Sequence, residues 1–477
     1  MAAETFDLDY LACLEDSSRK LESTSQQRLE LMLKAQREVD TYLEQLSLDH
    51  PTGWVIPPKE VQGQVQGPPM AELLPIQENG VSIEVALQHF SRIGEEAGRE
   101  GHPGHMAAVP GNSTAPGAIG DYLAASFDPH HVTFSRGAVN MQQQIVQWVG
   151  QLFGYPSTCA GNLTSGSTAA IMVAIGTARD KKVPESKDYS RSVLYISELT
   201  HDSVEKCLNT LGMREAVIRH VPVDDQYRMD VNKLRKFIED DLKDDLLPFL
   251  VVATTGTTDV GSVDPVPAIR AIATQYNMWL HVDACYGGFF VLCDSTKHLF
   301  EGVETADSIS VDPDKGLYAS FGTGLVLMRN GALLQNSEDL TFEQSGHFRA
   351  PSIWLPLKLY GVSTFRDALQ EKLELAKYLY LRLKNQPHLH VVKPVLSVVL
   401  FRLTGASDNA NNHSLLEKIL ADGRFFITIT TVKGIQYLRA CIFCFRTHRK
   451  ELDVFINKVL SAVAEMGLPE DDSSHKG

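Results

Sequence analysis

No apolar run in the 477-residue chain reaches the roughly eighteen residues that a membrane-spanning helix requires. Positive charge is also short. Lys and Arg number 44 against 59 Asp and Glu, a net charge of -15, whereas a phosphate-backbone partner calls for a basic footprint. Neither a membrane nor a nucleic acid is an expected partner. The first residues, Met1 to Asp9, lack a basic stretch and an apolar stretch, so they do not read as a secretory signal. Cysteine is sparse, odd in number and scattered: Cys13, Cys159, Cys207, Cys285, Cys293, Cys441 and Cys444. That usage argues against a disulfide framework and for a reducing compartment, so the expected location is cytoplasmic. Cys441 and Cys444 have CxxC spacing but no second pair, and they lie in an apolar run that reads as a buried strand. A Gly-x-Gly-x-x-Gly turn is missing too, which removes the main signature of a nicotinamide-binding fold.

What remains is ordinary globular composition, 43% hydrophobic and 22% charged, in a length that suits about two to three domains. Residues 24–46 carry Leu29, Met32, Leu33, Val39, Leu43 and Leu46 at near-helical spacing. This is an amphipathic helix whose stripe needs cover, from another subunit or from its own core. Residues 50–80 are rich in Pro and Gly and read as an extended crossing segment. From about 85 to 330, helical patterns alternate with short apolar strands at 192–196, 249–253, 279–282 and 324–328. Such alternation predicts an α/β domain with a mostly parallel sheet, whose ligands bind beyond the strand carboxyl ends. A long helix around 354–385 leads to strands at 395–403, 425–431 and 437–445 and helices at 414–421 and 449–466. The expected organisation is an N-terminal segment 1–84, a large domain 85–365 and a small α+β domain 366–477 with a polar tail.

The residues that carry chemistry sit at predicted strand ends. Asp312, Pro313, Asp314, Lys315 and Gly316 follow His281, Val282, Asp283, Ala284, Cys285 and Tyr286 by about thirty residues. A lysine amine condenses reversibly with an aldehyde cofactor, and a carboxylate opposite it keeps a pyridine nitrogen protonated. Lys315 and Asp283 suit these roles in pyridoxal phosphate chemistry. Ser167 and Thr168 open a helical run after Gly166, where free N–H groups and hydroxyls suit a phosphate or simply cap the helix. His201 falls in the loop beyond the 192–196 strand, able to stack on a flat ring. Thr254 ends the 249–253 strand. Each alone has a bland reading; their order along the chain gives them force.

With these residues in place, the chain resembles the group II pyridoxal-phosphate amino-acid decarboxylases, the family of aromatic-amino-acid, glutamate and histidine decarboxylases, over roughly residues 25–465. The resemblance implies the aspartate-aminotransferase-like fold type I of PLP-dependent transferases, in a homodimer with shared active sites. It implies Lys315 as the Schiff-base lysine, Asp283 as the pyridine partner and His201 as the stacking residue, with pyridoxal 5'-phosphate held also by Ser167, Thr168, Thr254, Cys285 and Asp312. Pro110, Asn112, His130 and Arg446 are the implied contacts to an L-amino-acid substrate.

Three departures stand out. Asp314 replaces the family's usual histidine before the lysine, and when ionised it would repel a phosphate. No tyrosine occurs between Met328 and Trp354, where the family's mobile loop carries one to return a proton to carbon; His347 is a candidate substitute. Ala108 and Val109 stand before Pro110 where relatives acting on aromatic substrates have an aromatic pair, and His130 and His131 lie beyond. Decarboxylation to an amine is the expected reaction. Decarboxylation with oxidative deamination to an aldehyde, and a homologue retained for binding or regulation, are its alternatives. His102 and His105 form an HxxH pair without a third ligand in view, so no metal is expected.

Overall fold

The computed structural model describes residues 25–49, 78–96, 99–129, 135–334, 346–404 and 409–467. The expected contact His130, its neighbour His131, the crossing segment up to residue 77 and the polar tail lie outside the described residues. Two compact units form, Met1–Arg99 and Glu100–Gly477.

In the first unit, helix α1 (Ser25–Gln45) matches the amphipathic stretch read from the sequence and packs on α2 (Ile83–Glu96). Lys34 pairs with Glu84, and the Ser91 hydroxyl donates to Glu38 at 2.5 Å. Leu29, Leu33, Leu43 and Phe90 remain exposed within this unit.

The second unit begins with α3 (Ala115–Phe127) and α4 (Arg136–Leu152), followed by β1 (Ala160–Thr164) and α5 (Ser167–Lys182). Thr114 caps α3, its hydroxyl accepting the Gly117 N–H at 3.2 Å. Then come β2 (Ser192–Ser197), α6 (Ser203–Thr210), β3 (Val217–Val221), α7 (Val231–Lys243), β4 (Leu247–Thr254), α8 (Val266–Gln275) and β5 (Trp279–Asp283). β6 (Ser308–Val311), the single turn α9 (Pro313–Gly316) and β7 (Gly324–Met328) complete a seven-stranded sheet of order β1-β7-β6-β5-β4-β2-β3. The five strands from β6 to β3 run parallel, and β7 lies antiparallel to both β1 and β6.

Strand period fixes which side chain enters which core. Leu194, Ile196, Leu250, Val252 and Val326 pack with α5, whereas Val193, Tyr195, Val251, Val282 and Leu325 join the larger core on the opposite face. Both faces are therefore covered, as the unbroken apolar strands had predicted.

Helix α10 (Ala350–Leu383) is interrupted at Gly361, whose φ of 72° no helical residue adopts. Beyond it, β8 (Leu389–Val391), β9 (Val398–Leu403), α11 (Asn409–Leu420), β10 (Thr428–Val432), β11 (Ile435–Cys441) and α12 (Arg449–Glu465) form an antiparallel sheet of order β10-β11-β9-β8 with its helices. Cys441 and Cys444 are buried and free, as the strand reading had it.

Candidate active site

The carboxyl ends of three adjacent strands build the floor of the site. Thr254 on β4 is the register partner of Asp283 on β5, and Asp283 that of Ser310 on β6. A hydroxyl, a carboxylate and a second hydroxyl thus stand side by side where a doubly covered sheet exposes its strand ends. Beneath them His281 is fully buried, its ring nitrogens 2.9 Å from the Ser308 hydroxyl and 3.2 Å from that of Ser310. Burial pushes the imidazole down to about 4, so it is neutral at pH 7.

A pocket of about 360 Å³ opens on this floor, bounded in part by Ser167, His201, Thr254, Asp283, Cys285 and Lys315. Lys315 enters it from α9. Its ammonium sits 2.9 Å from Asp312 Oδ2. Burial works against this charge, but Asp312 and other neighbours outweigh it and hold the amine above its ordinary range. Opposite, Asp283 Oδ1 accepts the Cys285 N–H at 3.0 Å. Burial beside Asp283 and Asp312 raises the Cys285 thiol far up, so it is a neutral wall that donates to Ser310 at 3.3 Å.

His201 lies in the turn between β2 and α6, on the exposed side of the pocket. The Ser203 N–H donates to its Nδ1 at 3.1 Å, so the neutral ring carries its proton on Nε2. Ser167 opens α5 immediately after Gly166, whose φ of 127° turns the chain into the helix. Thr168 is next on the helix, with its carbonyl accepting from the Cys207 thiol.

These residues fit pyridoxal phosphate on structural grounds. Thr254 Oγ1 and Asp312 Oδ1 are buried without a hydrogen-bond partner among the described residues, a costly condition that a polar ligand relieves. A buried amine, a carboxylate across from it and a helix start complete the donor set.

A second, larger cleft of about 1240 Å³ adjoins the first and shares Lys315 and His201 with it. Its walls include Ala107, Ala108, Val109, Pro110 and Phe321, with Asp314 beside the lysine. Of the expected substrate contacts, Pro110 lines this cleft. Asn112 instead reaches back toward the Pro110 carbonyl at 3.4 Å, and Arg446 lies over the ring of its neighbour Phe445. The arginine that does line the cleft is Arg439 on β11, held by Thr258, Asp259, Thr428 and Ala107. His105 also borders the cleft, with its buried Nδ1 unpaired. Sequence reasoning passed over Arg439, since nothing local distinguishes it from any strand arginine. His347 pairs with Asp121 on α3 at 3.3 Å.

The sequence pattern described as the pyridoxal-dependent decarboxylase conserved domain matches residues 92–343. The chain is 28% identical over 424 residues to an aromatic-L-amino-acid decarboxylase of Bacillus atrophaeus, covering 82% of this chain and 88% of the relative. It is 27% identical over 403 residues to a phenylacetaldehyde synthase of Petunia hybrida, covering 75% and 80%. Among solved structures, the fold agrees with that of Oryza sativa TDC with PLP and tryptamine at a TM-score of 0.85 and 22% identity, covering 93% of this chain and 99% of that one.

Proposed function

The chain belongs to the pyridoxal-dependent decarboxylase family, and on that premise we propose that it removes the α-carboxylate of an L-amino acid as carbon dioxide, with Lys315 as the residue that holds the cofactor. When bound, pyridoxal phosphate supplies an electron sink for the pair released as the carbon–carboxylate bond breaks. The chain's own residues do the rest. Asp283 keeps the pyridine nitrogen protonated, and His201 covers the exposed ring face. Ser167, Thr168 and the free N–H groups of α5 take the phosphate. The Thr254 hydroxyl gains the partner it lacks, and the neutral Cys285 thiol packs without adding charge. Asp312 would pair with the Lys315 amine whenever that amine is free of the cofactor, and from there the amine could move a proton at the substrate carbon. The outer cleft takes the substrate side chain.

The observation that carries this reading is that Lys315, Asp283, Thr254 and His201, from four separate elements, border one pocket. The test is a screen of cofactor-loaded protein against the common L-amino acids, reading carbon dioxide, amine, ammonia and peroxide together. Carbon dioxide with an equal amount of amine supports the proposal; no turnover with any amino acid favours a binding or regulatory role.

One observation favours a second reading. The sequence has no tyrosine between Met328 and Trp354, and one relative is named a phenylacetaldehyde synthase. In that case amino acid, oxygen and water give aldehyde, carbon dioxide, ammonia and hydrogen peroxide. Ammonia and peroxide in step with carbon dioxide decide for it.

The protein works as a cytoplasmic homodimer in this proposal. Phe127, at 79% exposed, with Ile119 and Leu359, offers the large unit an apolar surface for a second copy. The free, buried cysteines suit a reducing compartment. Sedimentation of the wild type and of Phe127→Asp tests the dimer: a monomeric wild type would refute it.

A further inference from the structure

Asp314 stands immediately before Lys315, and the fold treats its two carboxyl oxygens differently. Oδ2 accepts the N–H groups of Gly322, at 2.8 Å, and Thr323, at 3.1 Å. Oδ1 is buried and has no hydrogen-bond partner among the described residues. A carboxylate in this state leaves charge unsatisfied in a dry place, beside Asp312, whose Oδ2 is already engaged by Lys315. A carboxylic acid removes both penalties, because Oδ1 becomes a hydroxyl donor and the repulsion from Asp312 disappears.

The neighbourhood says what such a donor would meet. Asp314 lines the outer cleft with Lys315 and His201. The 322–324 segment that grips its Oδ2 packs on the start of α5, so closely that a Cβ on Gly324 would stand 2.5 Å from the Gly166 carbonyl carbon. The phosphate-binding helix start and the Asp314 carboxyl are thus clamped by one short segment.

We propose that Asp314 acts as a protonated acid that donates its Oδ1 hydroxyl to the phosphate of the bound cofactor, a positioning residue in place of the family's histidine. The proposal rests on the reading of this site as a pyridoxal phosphate site. It reverses the expectation of repulsion drawn from the sequence.

Burial, with the charge of Asp312, raises the Asp314 carboxyl to about 7, against the opposing pull of Thr323, Lys315 and Gly322. Asp283, at the end of β5, and Cys285, just past it, line the adjoining inner pocket, and His201, from the turn after β2, lines both. Across the outer cleft stand Glu100, His105 and Arg439. Behind the 320–323 segment, Arg349 donates to the Gly322 carbonyl at 3.2 Å. A phosphate dianion brought into this setting raises the carboxyl further, so cofactor binding takes up a proton and strengthens as pH falls through 7.

The experiment titrates apo wild type and Asp314→Asn with pyridoxal 5'-phosphate and with pyridoxal, which lacks the phosphate, at about pH 6, 7 and 8. Asparagine keeps an oxygen for Gly322 and Thr323 and offers a fixed N–H donor in place of the hydroxyl. The expected result is a wild-type affinity for pyridoxal 5'-phosphate that falls relative to the variant's by up to about 10-fold per pH unit above 7, with no such difference for pyridoxal. Parallel pH profiles, or weaker binding by the variant at every pH, overturn the proposal. A difference that persists with pyridoxal overturns the phosphate as acceptor. Infrared spectra of the apo proteins give a readout free of cofactor: a protonated-carboxyl band near neutral pH that Asp314→Asn lacks is expected, and its absence overturns the proposal. Should the variant fail to fold, proton uptake by wild type on binding decides, with about one proton per cofactor at about pH 8 in support and none against. Wild type that shows no Lys315-dependent visible absorption at any pH would instead refute the cofactor reading itself.

Discussion

The inner pocket and the outer cleft share Lys315 and His201, yet they are built differently. The inner pocket rests on the ends of neighbouring strands, where Thr254, Asp283 and Ser310 are fixed by sheet register. Ser167, His201, Thr254, Asp283, Cys285 and Lys315, which the family resemblance implies for the cofactor, border it. The outer cleft is assembled from the 105–110 segment, the loop around Phe321 and strand β11, parts spread over more than three hundred residues of sequence. There one departure lies, Ala108 and Val109 in place of aromatic walls, while Asp314, beside Lys315, stands where the two regions meet. The cofactor is the same throughout the family, so the residues that serve it are constrained by one chemistry. In the proposed reading the cleft beyond it takes the substrate side chain, and that is where a family diversifies.

The sharpest way to break this comparison is to attack the inner pocket first. Lys315→Ala is expected to abolish the visible cofactor absorption and to lower turnover by about 10³-fold or more, proton transfer by a placed side chain alone being worth about 10²–10⁴. Retained turnover would dissolve the distinction between the two regions. Asp283→Asn should cost about 10²-fold in kcat with a smaller change in KM, as removal of one well-placed charge typically does.

The outer cleft should respond in specificity more than in chemistry. Ala108→Phe is expected to change the ratio of kcat/KM between aromatic and aliphatic amino acids by about 10-fold, the scale of a pocket-wall change, while leaving the cofactor spectrum alone. A variant that loses the spectrum would place Ala108 in the wrong region.

The smallest effects concern stability, and the two regions should answer pH in opposite directions. His281 is neutral when folded and titrates near 4, whereas an unfolded histidine takes a proton at about 6.5. Its contribution is full above that value and is lost as pH falls toward 4. Asp314 is the reverse. Its folded carboxyl is raised to about 7, so its contribution is present below the unfolded value of about 4 and is lost as pH rises to 7. The two windows overlap, so between about pH 4 and 7 the melting temperature should fall more steeply with rising pH in His281→Asn than in wild type, and rise more steeply in Asp314→Asn.

The same contrast explains how much was legible in the sequence. Lys315, Asp283, Thr254, His201 and Ser167, which border one pocket, could be picked out because each follows an apolar strand or opens a helix, and strand ends are where such sheets bind ligands. The strands themselves announced their burial by unbroken Val and Leu. β3 and β6 were passed over: Val217–Val221 carries Arg219 and His220, and Ser308–Val311 alternates with serine. The serines of β6 turn out to hold His281. Arg439 and His105 could not be found from their neighbours, because the cleft they share exists only once β11 has closed against the 105–110 segment. Asp314 was singled out as a charge that would repel a phosphate, but the sequence could not show which of its oxygens the backbone reaches.

Lys315 sits in the twelve residues 312–323 that join β6 to β7, and those two strands are adjacent and antiparallel, with Val311 opposite Leu325. The segment carrying it is therefore a hairpin loop, closed by partners near in sequence, while the parallel pairs β2–β4 and β4–β5 must wait for long crossovers to fold back. Loop-closure entropy favours the nearer contacts. The lysine's turn is then expected to take shape early in folding, before the sheet that will give it a carboxylate to face, and hydrogen-exchange labelling during refolding would show protection at β6 and β7 ahead of β2 and β3.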